Sequence, residues 1–91
     1  MKFQIGMTYM TRGINATVAE DKVFTQEVMM CLQRHSQCDW GDVSEADKQC
    51  NDEAIQMGDR ILSAYETTQG RIWIITEADR SATTILFPDE Y

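Results

Sequence analysis

Three cysteines and a single histidine are the residues of this chain with the most versatile chemistry. Cys31, His35 and Cys38 lie close together in sequence, and Cys50 follows. Thiolate and imidazole groups suit Zn²⁺, but structural zinc sites usually space their ligands as Cys-x-x-Cys pairs, and none is present. Cys31 and His35 also share the apolar face of a predicted helix, where a small hydrophobe and a partly buried ring serve packing. We expect no metal and no cofactor, and keep a Cys/His metal protein as an alternative.

A cysteine nucleophile is the second chemistry that these residues could support. Cys31 and His35 are four apart, so they can touch on a helix, and Asp39 follows nearby. A reactive thiolate needs an electropositive, accessible environment. The chain instead has 15 acidic and 8 basic residues, a net charge of −7. It has no Gly-rich phosphate loop, and adjacent acids on a helix are typical of a solvated face. We expect no catalytic residue and no enzymatic activity, with a small Cys/His enzyme as an alternative.

A dense group of carboxylates lies between residues 39 and 59, which we call the acidic segment. It contains seven acids and a single basic residue, Lys48. Such a surface can mimic the phosphates of DNA and occupy a basic groove on a partner protein. By itself, a charged face of this kind more often serves solubility. The candidate partner-binding residues are Asp39, Asp42, Glu45, Asp47, Asp52, Glu53 and Asp59.

The overall charge and composition limit the remaining classes of function. A strongly acidic chain disfavours direct binding to nucleic acid but suits a basic protein surface. With 43% hydrophobic and 25% charged residues, the 91 residues are typical of one globular domain, spanning 1–91. No apolar run reaches membrane-spanning length. The start of the chain lacks the apolar core of a signal peptide, and the odd number of cysteines favours free thiols. We therefore expect a cytoplasmic protein that does not bind membranes.

The region after Gly58 has the pattern of an antiparallel meander. Short runs rich in β-branched and aromatic residues alternate with Gly and charged residues, which predicts strands at Arg60–Tyr65, Arg71–Thr76 and Ala82–Phe87. The middle run is apolar on both faces, so we expect Trp73 to be buried and central.

The region before Gly58 supplies a strand and helices. Phe3 to Thr11 alternates with period two and predicts a fourth strand, and Ile14–Ala19 could form one or two helical turns. Asp21 to His35 repeats apolar residues at helical spacing. Trp40, in the loop that follows, is expected to cap the core between helix and sheet.

A further helix is predicted from Glu45 to Met57. Ser44 with Asp47 matches the capping box, and Gly58 is a natural stop. Its apolar stripe is thin: Ala46, Cys50, Ala54 and Met57. Together the elements predict an α+β domain, with a three- to four-stranded antiparallel sheet covered by two or three helices.

Several short motifs are distributed along the chain: Thr11-Arg-Gly-Ile, Gln33-Arg-His, Asp39-Trp-Gly-Asp, Asn51-Asp-Glu-Ala, Gly58-Asp-Arg-Ile-Leu-Ser-Ala-Tyr and Ile72-Trp-Ile-Ile-Thr-Glu-Ala-Asp-Arg-Ser-Ala-Thr-Thr-Ile-Leu-Phe-Pro. With these motifs the chain resembles a family of short proteins of bacterial mobile elements, usually labelled only plasmid-related proteins. The resemblance covers nearly the whole chain and is most specific in the C-terminal half.

The resemblance implies a genetic setting and no catalytic residue. Small acidic proteins of plasmids, phages and integrative elements are often inhibitors of host defence, and anti-CRISPR proteins are similar in size and charge. We expect an inhibitor that blocks a nucleic-acid-binding surface of a CRISPR effector or of another host-defence protein. An accessory factor of element maintenance or transfer is the alternative from the same setting.

Overall fold

A computed structural model describes residues 3–91 and confirms the α+β class. The strands are β1 (Met7–Met10), β2 (Ile61–Thr67), β3 (Gly70–Thr76) and β4 (Ala82–Leu86). The helices are α1 (Arg12–Glu20), α2 (Lys22–Ser36) and α3 (Glu45–Met57), and a 3₁₀ turn spans Pro88–Glu90. Within residues 3–91, no helix is long and apolar enough to cross a membrane.

Each helix begins where a side-chain oxygen accepts a hydrogen bond from a free backbone N–H of the first turn. Asp21 accepts from Phe24 at 3.0 Å, so it caps α2 rather than belonging to it. Ser44 accepts from the Asp47 N–H at 3.1 Å, and Gly58 ends α3 in the left-handed conformation at φ 75°. The predicted bounds of α3 are therefore confirmed, whereas α1 is longer than the predicted turns at Ile14–Ala19.

The four strands form one sheet in the order β1-β4-β3-β2. The predicted meander is confirmed, since β2 pairs with β3 and β3 with β4, both antiparallel. β1 is the fourth strand, but it runs parallel to β4, so the sheet is mixed rather than wholly antiparallel. The three helices return the chain to the end of the sheet where β1 began, and two hairpins then restore the same direction for β4.

The first strand is shorter than the predicted Phe3–Thr11. Gly6 has φ +64°, and a Cβ there would collide with the backbone of Arg80 and Ser81, so the chain turns tightly before β1. Phe3 consequently leaves the sheet and is buried. Met7 and Tyr9, predicted on a common face with it, are exposed.

The core has two parts. The larger lies between the sheet and helices α1 and α2: Ile14, Phe24, Val28, Cys31, Tyr65, Ile72, Ile74 and Ile85. The smaller gathers Phe3, Trp40, Ala54 and Ile61. Trp40 is only 4% exposed there, which confirms that it caps the core.

Trp73 contradicts the prediction of a buried, central side chain. It points away from the core formed by Ile72 and Ile74, and it is only half-buried. Its ring meets the exposed Tyr91 edge-on at 5.7 Å between centroids. α1 and α2 pack on the opposite face of the sheet, so Trp73 is not part of the core that they form.

The apolar stripe predicted for α3 is also wrong. Ala54 is buried, but Ala46, Cys50 and Met57 are exposed. The buried polar residue on α3 is Asn51, whose Nδ2 donates to the Leu62 carbonyl at 2.8 Å and whose Oδ1 accepts from the Leu62 N–H at 3.2 Å. α3 therefore packs on the edge of β2, where the Asn51 side chain makes the two hydrogen bonds that the backbone of a neighbouring strand would make.

Candidate functional site

The candidate Cys and His ligands do not come together. Cys31 is buried on α2, Cys38 is half-buried in the loop and Cys50 is exposed on α3, and none of them forms a disulfide within residues 3–91. Across that same range, no three His, Cys, Asp or Glu side chains are grouped so that they could hold a metal ion.

His35 is fully buried, and both of its ring nitrogens are already bonded. Nδ1 lies 2.5 Å from Ser63 Oγ and Nε2 lies 2.9 Å from Thr76 Oγ1. Thr76 Oγ1 lies 2.7 Å from Thr83 Oγ1, which donates to the Ile5 carbonyl at 2.7 Å. A chain of hydrogen bonds therefore crosses the interior from β2 to the segment before β1.

The Ile5 carbonyl can only accept a hydrogen bond, and this determines which atom donates in each of the hydrogen bonds that lead to it. Thr83 uses its only proton on that carbonyl, so it must accept from Thr76. Thr76 must in turn accept from Nε2–H of His35, which leaves Nδ1 to accept from Ser63. His35 is the neutral Nε2–H tautomer, and burial lowers its pKa to about 4.

This arrangement offers neither a metal ligand nor a reactive pair. The nitrogens of His35 engage hydroxyl groups rather than Cys31, and burial raises the pKa of the Cys31 thiol to about 11. A small depression lined by Glu27, Met30, Cys31, Arg34 and Glu66 lies at that thiol. Burial keeps this thiol protonated, whereas a reactive cysteine needs electropositive surroundings that favour the thiolate.

Sequence reasoning missed Ser63, Thr76 and Thr83 as partners of His35. All three are fully buried although their side chains are polar. A small hydroxyl residue at an inward strand position is the signal that could have found them, because a buried hydroxyl needs a partner.

All seven carboxylates of the acidic segment are exposed. Three of them engage neighbours within the protein. Asp39 receives two hydrogen bonds from Arg34, at 2.7 and 3.2 Å, and this contact lowers its pKa. Asp52 accepts from the indole Nε1 of Trp40 at 3.0 Å, and Glu45 lies 3.4 Å from the Lys48 ammonium.

The other four carboxylates are exposed and have no polar partner among the described residues. In residues 3–91 the side chains of these four make no hydrogen bond or ion pair with the protein: Asp42, Asp47, Glu53 and Asp59. Asp42 and Asp59 contribute to the structure through their backbones, since their carbonyls accept from Arg71 and Arg80. Their carboxylates are available to a partner.

The fold brings part of the acidic segment onto one surface. A rotation of 100° per residue puts Glu45 and Asp52 on the same side of α3, with Glu53 beside them. The bond between Asp52 and Trp40 holds the loop that carries Asp39 and Asp42 against this side. Asp47 projects from the opposite side of the helix, and Asp59 follows its far end, about 20 Å from Glu45.

The loop before α3 is held in place by its backbone. Ala64 donates to the Trp40 carbonyl at 3.2 Å and accepts from the Asp42 N–H at 2.7 Å, so residues 40–42 line the edge of β2. Gly41, at φ +73°, makes this approach possible because a Cβ would collide with Ala64 and the Tyr65 ring. The carboxylates on the loop are thus presented on a fixed backbone.

Comparison with protein-family models, with curated proteins and with solved structures finds no match. The resemblance to plasmid-related proteins therefore stays a prediction from the motifs.

Proposed function

We propose that the protein is a non-catalytic inhibitor that binds a basic, nucleic-acid-binding surface of a host-defence protein, most specifically a CRISPR effector. The observation that carries this proposal is the acidic segment: seven exposed carboxylates and one lysine on a loop and helix anchored to the sheet. The sequence resemblance supplies the class of target.

The physical basis is electrostatic complementarity with a prearranged surface. A groove that binds nucleic acid is lined by Lys and Arg, and carboxylates held at fixed positions can replace phosphates there. Trp40, Asn51 and Gly41 fix the loop and α3 before binding, so less conformational entropy is lost on association. Cys31, a buried thiol, and His35, a buried neutral ring, add nothing to this surface.

The set of residues best suited to a test differs from the one that the sequence suggested. The sequence offers Asp52 as one of seven equivalent candidates, but its carboxylate accepts a hydrogen bond from the indole of Trp40. Replacing Asp52 would disturb the loop as well as the charge. We therefore choose Asp42, Glu45 and Glu53, whose side chains are exposed and make no contact with the core.

We predict that the triple variant Asp42→Asn, Glu45→Gln, Glu53→Gln binds its effector about tenfold more weakly, as expected for three partly screened surface charges. The measurement is displacement of DNA from a panel of purified CRISPR effectors by the inhibitor. Wild-type affinity should also fall as salt rises, since exposed charges are screened over about 8–10 Å.

The matched control neutralises three carboxylates of the same types outside the acidic segment: Glu20→Gln, Glu77→Gln, Asp89→Asn. These side chains are exposed, and none makes a hydrogen bond or ion pair within residues 3–91. The control should compete like the wild type. Equal weakening by both variants would mean that net charge, and not the acidic segment, governs binding. If the wild type displaces DNA from no effector, the inhibitor proposal loses its support.

A further inference from the structure

The outer edge of β1 is open. All four of its residues are exposed, including Met7 at 64%, Tyr9 at 51% and Met10 at 42%. On the inner side, Met7 donates to the Ser81 carbonyl at 3.0 Å. Backbone groups alternate along a strand, so the N–H and C=O groups of Thr8 and Met10 point away from β4.

The opposite edge of the sheet is closed. Asn51 takes both backbone groups of Leu62, and residues 40–42 take those of Ala64. Among residues 3–91 no such contact covers β1, and although the strand is short, residues 3–11 contain no charge and no proline to protect its edge. An uncharged, exposed edge is a template for another strand.

We propose that β1 pairs antiparallel with β1 of a second copy of this chain, forming a two-fold symmetric dimer with an eight-stranded sheet. The outward groups determine the register. Thr8 opposite Met10 of the other copy, and Met10 opposite its Thr8, gives two hydrogen-bonded pairs and four hydrogen bonds. The two-fold axis then passes between the two Tyr9 residues, which face each other as a close non-hydrogen-bonded pair.

The absence of charge on this edge permits a second copy as the occupant. Two molecules of net charge −7 repel, so a contact between them is opposed least where both surfaces lack charge. The uncharged edge meets that condition, and an isologous contact needs no complementary patch elsewhere. Tyr9 pairs with Thr84 and lies on the same sheet face as Trp73 and Leu86, so dimerisation would extend this face across the axis.

The size of the contact determines its strength. One four-residue edge makes a small interface, which belongs to the weak, transient class. The dimer should therefore dissociate on dilution. The inference stands apart from the proposed function, because it uses neither the acidic segment nor a host target.

Sedimentation of the full chain over a concentration series measures the dissociation constant of the dimer. Substitutions that place a charge at Tyr9, beside the two-fold axis, test the proposed pairing. Tyr9→Lys puts two like charges opposite each other and removes an aromatic pair, so the dissociation constant should rise about tenfold or more. Tyr9→Glu should do the same. An equimolar mixture of the two variants should recover the dimer, because unlike charges then face each other.

Met29→Lys is the matched control, since Met29 is 65% exposed on α2 and receives the same charge. It should dimerise like the wild type. Hydrogen exchange supplies a second readout: the Thr8 and Met10 amides should slow as the wild-type concentration rises. A wild type that stays monomeric at its highest soluble concentration overturns the proposal, as does a dimer that Tyr9→Lys leaves intact. Protection of these amides only by a different protein would mean that the edge serves another partner.

Discussion

His35 shows how a single buried residue can couple stability to pH. Its ring lies edge-on to Phe3 and Trp40, with centroids 5.4 and 5.8 Å away, and its nitrogens are held by Ser63 and Thr76. Protonation would require Nδ1 to donate, and Ser63 would have to turn its own proton elsewhere. The interior thus favours the neutral ring.

We predict that stability falls as the pH drops from about 6.5 to about 4. In this window the unfolded chain binds a proton at His35 that the folded chain does not, so the free energy of unfolding decreases with falling pH. The full loss is about 3 kcal/mol, since each pKa unit corresponds to about 1.4 kcal/mol. Urea unfolding at pH 7, 6 and 5 measures the part of this loss that occurs above the carboxyl range.

The variant His35→Gln should remove most of this slope, although it will lower stability at pH 7. Asp39 and Glu90 do not confuse the result. Their pKa values are lowered, so their stabilisation is lost as the pH falls through the ordinary carboxyl pKa of about 4 and lower, mostly below the pH 7 to 5 range of the measurement. A urea midpoint that is the same at pH 7 and pH 5 would contradict the assignment of a neutral, buried ring.

At the scale of elements, one buried amide ties α3 to the sheet. Asn51 is 5% exposed and occupies both backbone groups of Leu62, so it fastens the helix and closes the edge of β2 at once. Few apolar residues of α3 reach the core, which increases the share of the contact that Asn51 provides. The helix carries Glu45 and Glu53, and its attachment therefore matters for the proposed function.

We predict that Asn51→Ala lowers the free energy of unfolding by about 1–3 kcal/mol, because the N–H and C=O of Leu62 lose their partner. Asn15→Ala is the matched control, with the same exchange at an exposed position of α1. It should be neutral or slightly stabilising, since alanine is the better helix former. Equal midpoints for the two variants in chemical denaturation would show that α3 is held by its other contacts, such as the hydrogen bond from Arg80 to the Ala54 carbonyl.

At the scale of the whole molecule, the two ends of the described chain are tied together. The Glu90 carboxylate accepts from Thr11 Oγ1 at 2.5 Å and from the Gly13 N–H at 2.9 Å. It also accepts from the Phe87 N–H at 3.0 Å. An anion thus sits at the N-terminus of α1, where the helix dipole favours it, and the hydrogen bond from Thr11 is the main cause of its lowered pKa.

We predict that Glu90→Ala destabilises the protein by about 1 kcal/mol, a value reduced by solvent screening at this exposed site. Asp89→Ala, at the adjacent exposed residue, should change stability by less. Thermal unfolding of both variants at neutral pH provides the comparison. Identical melting temperatures would show that the 3₁₀ turn docks without its carboxylate.

The sequence by itself determined the features that depend on a few neighbouring residues. Ser44 and Gly58 specify both ends of α3, and the alternation after Gly58 specifies three consecutive strands. Capping and hairpin pairing are local, so their signals survive in the linear pattern. The exposure of the acidic segment on loop and helix follows from the same local pattern.

Only the tertiary structure decided how distant residues meet. Ser63 is 28 positions from His35, and Ile5 is 78 positions from Thr83. The parallel placement of β1, the docking of Asn51 on Leu62 and the half-exposure of Trp73 depend in the same way on which elements become neighbours. Local propensity carries no information about such pairings. They form where the packing of the whole chain outweighs the entropy lost in closing the loops between distant residues.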